Sequence, residues 1–145
     1  KLIGTHPIHG EAAVAMIDLD HFKDVNDTYG HESGDKALQL IAAKLKAAFR
    51  DSDLVCRFGG EEFVVLLPKA NLQDAQHKLD AFRERIAATD IQLDEIHSAR
   101  ITLSIGLTHV DTNTVSLEHA LNNADKALYQ AKSLGRNRLE ICTEA

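Results

Sequence analysis

Two short β-like segments joined by a tight turn constrain the fold of this chain more than any other feature. Leu54–Phe58 and Glu62–Leu67 are apolar enough to be strands, and only Gly59, Gly60 and Glu61 separate them. So short a connection makes the two strands antiparallel neighbours. Glycine supplies the positive φ angles that tight hairpins use. Any sheet that this chain forms must therefore contain one antiparallel hairpin.

Two acids follow the glycines of this hairpin, although a turn requires no carboxylate there. Glu61 and Glu62 come directly after Gly59 and Gly60. Glycines let a ligand approach the backbone closely, and a carboxylate at the turn can hold a divalent cation against that ligand's phosphates. The alternative is an ordinary Gly-Gly hairpin with solvated acids.

The remaining elements alternate between strands and helices. In chain order, apolar patterning predicts a buried strand at Ala12–Leu19, a short helix at Asp20–Asn26, a helix opened by Ser33-Gly34-Asp35, the hairpin, a helix at Asn71–Ala88, a half-buried strand at Arg100–Val110, a helix from Ser116 to Gly135, and a strand at Arg138–Cys142. Strands separated by helices around a hairpin predict an α/β sandwich with a mixed sheet. At 145 residues, we expect one domain, 1–145.

Composition excludes several classes of protein. The chain carries 16 Lys and Arg against 22 Asp and Glu, which argues against general nucleic-acid binding but not against a small phosphorylated ligand. It has no run of about 18 apolar residues and no signal-peptide pattern at its start, so we expect no membrane contact and a cytoplasmic setting. His6 and His9 lack partners at zinc-site spacing, and Cys56 and Cys142 are expected to be reduced thiols.

A second acidic group lies at the end of the first predicted strand. Asp18 and Asp20 flank the carbonyl of Leu19, and open sheets bind ligands beyond their strand ends. Two carboxylates and a carbonyl suit Mg²⁺, although an Asp pair before a helix can equally be a helix cap. Glu61 favours the metal site, because the acids could converge on one cation. Lys23 could reach phosphates from the next helix, but spacing alone is also explained by a solvated surface lysine.

Three blocks of sequence, in order, resemble the GGDEF family of bacterial diguanylate cyclases, which join two GTP molecules into cyclic di-GMP. The first is Asp18–Asp35 (D-x-D-x-F-K-x-x-N-D-x-x-G-H-x-x-G-D), the second is Gly59–Phe63 (GGEEF), and the third is Ala124–Asn137 (A-D-x-A-L-Y-x-A-K-x-x-G-R-N). The resemblance covers most of the chain. It implies a nucleotidyl cyclase fold, with a central mixed five-stranded sheet, flanking helices and a palm-like, ferredoxin-like core.

The resemblance also implies a role for each matching residue. Asp18 and Glu61, with the Leu19 carbonyl, would bind a catalytic Mg²⁺ or Mn²⁺, and Glu62 would activate the 3′-hydroxyl or hold a second metal. Asn26 and Asp35 would bond the guanine edge, which explains GTP over ATP. The other residues implied to contact GTP are Phe22, Lys23, Gly60, Lys132 and Arg136, of which the three cations would neutralise the β- and γ-phosphates.

The implied reaction needs two copies of the domain. The 3′-hydroxyl of one GTP attacks the α-phosphate of another and expels pyrophosphate, and the reciprocal attack closes the ring. Phosphoryl transfer is served mainly by in-line positioning and charge neutralisation. Because each domain would bind one GTP, the resemblance implies a catalytic homodimer.

A charged motif ends five residues before the hairpin glycines. Arg50 and Asp53 match the family's R-x-x-D inhibitory site, where cyclic di-GMP binds and restrains the enzyme. Arg50 offers a bidentate fork, and Asp53 can accept from guanine N–H groups. A charged helix end is the common alternative. The family often adds an arginine from the following helix, but Ala81 stands at that position, with Arg83 and Arg85 nearby.

The start of the chain departs from the family pattern. The family's L-T-x-L-x-N-R segment and its helix are not visible ahead of Ala12, and regulatory domains usually precede such a module. Two other functions remain in view. One is a catalytically silent member that only senses GTP or cyclic di-GMP, although the chain keeps both acids and both glycines. The other is a different palm-like polymerase or cyclase fragment, which Asn26, Asp35 and the R-x-x-D motif argue against.

Overall fold

The computed structural model describes residues 10–142, in which a five-stranded sheet is covered by four helices. The strands are β1 (Glu11–Leu19), β2 (Leu54–Arg57), β3 (Glu62–Pro68), β4 (Asp90–Gln92), β5 (Ser98–Arg100), β6 (Leu103–Asp111) and β7 (Arg138–Cys142). The helices are α1 (Phe22–Tyr29), α2 (His31–Ala48), α3 (Leu72–Ala87) and α4 (Leu117–Ser133). The expectations for His6, His9 and the segment ahead of them lie outside the described residues.

The main sheet has the order β2-β3-β1-β6-β7 and is mixed. β1 pairs antiparallel with β3 on one side and with β6 on the other, and β2 pairs antiparallel with β3. Only β7 runs parallel to its neighbour, β6. The predicted five-stranded mixed sheet is therefore confirmed. β4 and β5 form a separate two-stranded sheet that the sequence patterns did not predict.

The sheet is buried on both faces because helices cover both. Every residue of β1 after Glu11 is buried, and alternate side chains pack into two different clusters. Ala13 and Ile17 pack with the apolar residues of α2 and α3, whereas Val14 and Met16 pack with those of α4. Within residues 10–142, none of the helices is long and apolar enough to cross a membrane.

The strand predicted to be half-buried is in fact buried on both faces, so that expectation was wrong. Ser104 and Thr108 lie on its polar face and are almost inaccessible. A Cβ atom on Gly106 would lie 2.1 Å from the Ala124 carbonyl oxygen and 2.2 Å from the Leu128 nitrogen. Gly106 thus lets the backbone of α4 rest directly on β6, and the polar face of β6 is covered.

The structure agrees with the predicted helix starts at Asn71 and Ser116 and differs from the one at Ser33. Asn71 and Ser116 cap α3 and α4, because their side-chain oxygens accept from the backbone N–H groups of Asp74 and His119. α2 begins at His31, earlier than the predicted start at Ser33. Ser33 is buried within the first turn of α2 and makes no cap.

Candidate active site

The acids singled out in the sequence meet at one corner of the sheet, where β1 ends and β3 begins. Asp18 is the direct cross-strand partner of Glu62, so both side chains lie on the face covered by α4. Glu61 is the preceding residue, and its carbonyl accepts from the Leu19 N–H at 3.3 Å. The predicted convergence of these residues, which we call the acid corner, follows from the register of β1 against β3.

Asp18 is the buried carboxylate of the acid corner. The residue is only 4% exposed, and one carboxylate oxygen, Oδ2, accepts from the Lys132 ammonium. Among residues 10–142, its other oxygen, Oδ1, has no hydrogen-bond partner although it is fully buried. A buried charged oxygen without a partner costs free energy. A cation bound there would satisfy it.

Burial and the charge of Asp18 both raise the pKa values of Glu61 and Glu62. Burial raises the pKa of Glu61 above its usual value, and the charge of Asp18 raises it further, while Lys132 opposes both effects. The pKa of Glu62 is raised mainly by burial and then by Asp18, against the same opposition from Lys132. Lys132 offsets only part of the charge of these carboxylates, so the acid corner keeps a net negative charge.

The ligands available in the acid corner suit a hard divalent cation. Asp18 and Glu61 offer carboxylates and Leu19 offers a carbonyl, and Mg²⁺ is bound in proteins by one or two carboxylates with phosphate oxygens and waters. Within residues 10–142, no group of three His, Cys, Asp or Glu side chains forms a ready metal cage. Two carboxylates with a carbonyl fit Mg²⁺.

Asp20 has a different role from the one that its spacing suggested. It accepts from the hydroxyls of Thr102 and Ser104, each at 2.6 Å, and from the Asn137 N–H at 3.0 Å. It makes no side-chain cap for α1. Its oxygens are thus used within the protein, where they tie the end of β1 to β6 and to the turn after α4.

The hairpin turn is held by an arginine that the sequence reasoning missed. Arg57 donates from Nη2 to the Gly60 carbonyl at 2.6 Å, and its Nε lies 3.2 Å from the same oxygen and 3.3 Å from the Gly59 carbonyl. An arginine directly before the glycines was the available signal. Neither Gly59 nor Gly60 has a positive φ, so the expectation that the turn needs left-handed glycines was wrong.

Gly60 instead leaves room beside the turn. Within the described residues, a Cβ atom added to Gly60 would have nothing within 4 Å. The absence of a side chain at this position is therefore required neither by the backbone conformation nor by packing in the domain. A ligand that approached the backbone here would meet no side chain of Gly60.

The residues expected at the guanine edge lie on α1 and α2, which pack closely against each other. A Cβ atom on Gly34 would lie 1.8 Å from the Asn26 side-chain oxygen, so Gly34 allows α1 to pack closely against α2. Asp35 follows Gly34 and is exposed. Phe22 is 6% exposed and belongs to the core, so only its backbone is available to a ligand. Asn26 therefore packs against the residue that precedes Asp35, and the contact of both side chains with guanine stays a prediction.

The three cations expected at the phosphates lie in different surroundings in the structure. Lys132 lies in the acid corner, and Arg136 lies in the turn that follows α4. Lys23 does not reach this corner: its side chain is 89% exposed and its Nζ pairs with Asp27 at 3.3 Å. The solvated surface lysine that was left open for Lys23 therefore describes its position in the structure.

A second polar site surrounds the R-x-x-D motif. The Arg50 N–H donates to Asp53 Oδ2 at 3.0 Å, and the Arg50 guanidinium lies 3.7 Å from Asp53 Oδ1. Lys78 of α3 completes the group, with Nζ 3.9 Å from Asp53 and 4.9 Å from the Phe49 ring. These side chains line or border a cavity of about 350 Å³. Lys78, not residue 81, is the cation that α3 brings to this site.

Comparison with known proteins gives a consistent result. The family described as "Diguanylate cyclase, GGDEF domain" matches residues 4–138. The chain is 43% identical over 136 residues to the diguanylate cyclase DgcP of Pseudomonas aeruginosa, covering 94% of this chain and 20% of DgcP. The curated relatives that it matches first are much longer, since it spans between 20% and 36% of them.

Solved structures show the same fold. The GGDEF domain of DgcB from Caulobacter crescentus, solved in complex with c-di-GMP, superposes with a TM-score of 0.87 at 28% identity, covering 93% of this chain and 80% of that one. The active GGEEF domain of a diguanylate cyclase from Vibrio cholerae gives a TM-score of 0.84 at 29% identity, covering 94% of this chain and 85% of that one. The overall fold is therefore shared with both.

Proposed function

The chain belongs to the GGDEF domain family of diguanylate cyclases, and we propose that it condenses two GTP molecules into cyclic di-GMP and pyrophosphate. The observation that carries this proposal is the acid corner. There, Asp18 lies opposite Glu62 and close to Glu61, and its buried Oδ1 has no hydrogen-bond partner within residues 10–142. Within the same residues, Gly60 leaves open space at the hairpin turn. Such a corner is suited to hold a cation and a triphosphate together.

Asp18, Glu61 and the Leu19 carbonyl are the residues that would hold Mg²⁺ or Mn²⁺. When bound, the cation supplies charge neutralisation and in-line alignment of the phosphates. Lys132 already neutralises part of the acid corner through its contact with Asp18. Because the Lys132 side chain is 33% exposed, it is also accessible to a phosphate oxygen entering from solvent. Arg136 adds a second cation from the neighbouring turn.

Recognition of the base falls to Asn26 and Asp35. Asp35 is an acceptor that suits the N1–H and amino group of guanine, and Asn26 can both donate and accept. Adenine presents no N1–H, so a site with these groups would leave a polar side chain unpaired on binding ATP. Phe22 would contribute its backbone at the start of α1, and Lys23 would need to leave Asp27 to reach a phosphate.

Glu62 is proposed to assist the attacking 3′-hydroxyl or to hold a second metal. It lies directly opposite Asp18 in the sheet, and burial together with Asp18 raises the pKa of its carboxyl. A carboxylate at this position can accept the proton that the hydroxyl loses. Since one domain offers one such corner, the two attacks need two domains face to face, which makes a homodimer the proposed catalytic unit.

The experiment that tests this function is incubation of the purified domain with GTP and Mg²⁺, followed by identification of the nucleotide product. Cyclic di-GMP with two equivalents of pyrophosphate is expected, and ATP in place of GTP should give no cyclic dinucleotide. A GTP-consuming domain works where GTP is, which makes the cytoplasm its expected compartment.

The site around Arg50 and Asp53 is proposed to bind the product and to restrain the enzyme. Its cavity has cations on two sides, from Arg50 and Lys78. The side chain of Asp53 is fully buried beneath them. A guanine that bonds to Asp53 must therefore displace one of these cations, and its phosphates could then pair with both.

Replacing Arg50 by alanine should relieve product inhibition without lowering the initial rate. We expect the cyclic di-GMP concentration that halves the rate to rise on the order of tenfold, because one charge-assisted contact is lost. Rates measured with added cyclic di-GMP check this. Lys46→Ala removes an exposed cation from α2, which ends two residues before Arg50. Lys46 lies outside the cavity, so this change should leave inhibition unchanged. An unaltered inhibition curve for Arg50→Ala would remove this assignment.

A further inference from the structure

Arg83 links α3 to the turn that follows α4. Its Nη1 donates to the Asn137 side-chain oxygen at 2.8 Å and to the Asn137 carbonyl at 3.3 Å. Its Nε donates to Asp80 one turn earlier on α3, at 2.7 Å. The side chain is only 13% exposed. The guanidinium is thus fixed between an acid on its own helix and a residue that is distant in sequence.

The turn that Arg83 contacts has an uncommon backbone. Gly135, Arg136 and Asn137 are consecutive residues with φ angles of 123°, 65° and 48°. Only the first is a glycine, and a bulky residue such as arginine rarely adopts the left-handed region. Such a conformation persists where the surroundings hold it.

Two contacts hold Asn137 from opposite sides. Its backbone N–H donates to Asp20 at the end of β1, at 3.0 Å, and its side chain and carbonyl accept from Arg83. Asp20 is fixed in turn by hydroxyls at the start of β6. Arg136 directly precedes Asn137. The direction in which the Arg136 side chain points therefore depends on the hydrogen bonds that hold Asn137.

We infer that Arg83 is a positioning residue for the reaction, because it holds the turn that aims Arg136 at the nucleotide's phosphates. The inference rests on the proposed function, in which Arg136 binds the β- and γ-phosphates. Among the described residues, Arg83 contacts Asp80, Glu84 and Asn137, none of which is a residue of the proposed site. Its effect should therefore appear in binding of the triphosphate and not in recognition of the base or the α-phosphate.

A purely structural role for Arg83 would give a different result. If Arg83 only pinned α3 to the sheet, its loss would lower stability and weaken all ligands alike. The discriminating quantity is the ratio of the dissociation constants for 3′-deoxy-GMP and 3′-deoxy-GTP, measured with Mg²⁺. These ligands lack the attacking hydroxyl, so neither is turned over during the titration.

Calorimetric titration of four variants tests the inference. Arg83→Ala should weaken 3′-deoxy-GTP on the order of tenfold while leaving 3′-deoxy-GMP unchanged. Arg83→Lys should recover part of this loss, because lysine keeps the charge but not the fork. Arg85→Ala is the matched control, since it removes the same charge from an exposed position on α3. Arg136→Ala should lower triphosphate binding by at least as much as Arg83→Ala.

Amide hydrogen exchange at Asn137 supplies a readout that does not depend on the nucleotide. Exchange should be faster in Arg83→Ala than in wild type and unchanged in Arg85→Ala. Unchanged amide exchange at Asn137 in Arg83→Ala would overturn the inference. It would also be overturned if the ratio of dissociation constants is unchanged in Arg83→Ala while it is lowered in Arg136→Ala. If Arg136→Ala leaves the ratio unchanged, the phosphate role of Arg136 fails, and the inference about aiming the turn fails with it, whatever the exchange rate shows.

Discussion

Replacing Glu61 by alanine should abolish turnover of GTP while the domain stays folded. Glu61 is half-buried at the hairpin turn, and its carboxylate is one of the two proposed for the cation. Removing it leaves Asp18 and Lys132 paired in the acid corner, so we expect no loss of fold. Loss of a group that stabilises charge at the reacting phosphate should lower kcat on the order of 10³-fold.

The rate of cyclic di-GMP formation by chromatography measures this effect, with thermal unfolding as the check on the fold. Glu95→Ala is the matched control, because it removes an exposed glutamate in the loop between β4 and β5, away from the acid corner. The control should retain full activity. Activity of Glu61→Ala within about tenfold of wild type would contradict the metal role, since a lost ligand costs more.

Replacing Gly106 by alanine should give the largest loss of stability of any substitution that adds a single methyl group to this sheet. The new Cβ atom would meet the backbone of α4 at Ala124 and Leu128, and backbone atoms cannot rotate away. Overpacking of this kind costs about 3 kcal/mol, which outweighs the smaller gain from reduced freedom of the unfolded chain. Because α4 also carries Lys132, turnover should fall as well.

Urea unfolding followed by circular dichroism measures the free energy of unfolding of this variant. Gly60→Ala is the matched glycine control: its added methyl group meets no atom of the described residues within 4 Å, and its φ is not positive. We expect its stability to stay within about 0.5 kcal/mol of wild type. If Gly106→Ala is as stable as wild type, α4 can move away from β6, and the proposed reason for this glycine is wrong.

The parts of the fold that depend on local pattern were predictable. The hairpin, the buried first strand and the helix starts at Asn71 and Ser116 each follow from a few neighbouring residues. β4 and β5 were not predicted, because each has three residues and too few positions to show an alternating pattern. The burial of β6 was also missed, since it depends on how closely α4 approaches Gly106 and not on the strand's own sequence.

The acid corner was predictable to a similar extent. Asp18, Glu61 and Glu62 could be grouped because they lie at the ends of segments that read as strands. The roles of Arg57, Lys78 and Arg83 could not be predicted, because each depends on a contact that only the folded chain creates. Lys23 shows the reverse case, since its motif suggests a phosphate contact while its Nζ pairs with Asp27.

The central claim is that two such domains, each with one GTP in its acid corner, complete the reaction together. The specific activity of cyclic di-GMP formation, measured over a hundredfold range of protein concentration with saturating GTP and Mg²⁺, tests it most directly. The account predicts cyclic di-GMP as the product, with specific activity that rises with protein concentration and is nearly lost at high dilution. A domain that binds GTP yet forms no cyclic di-GMP at the highest concentration, or one whose specific activity is constant throughout, would contradict it.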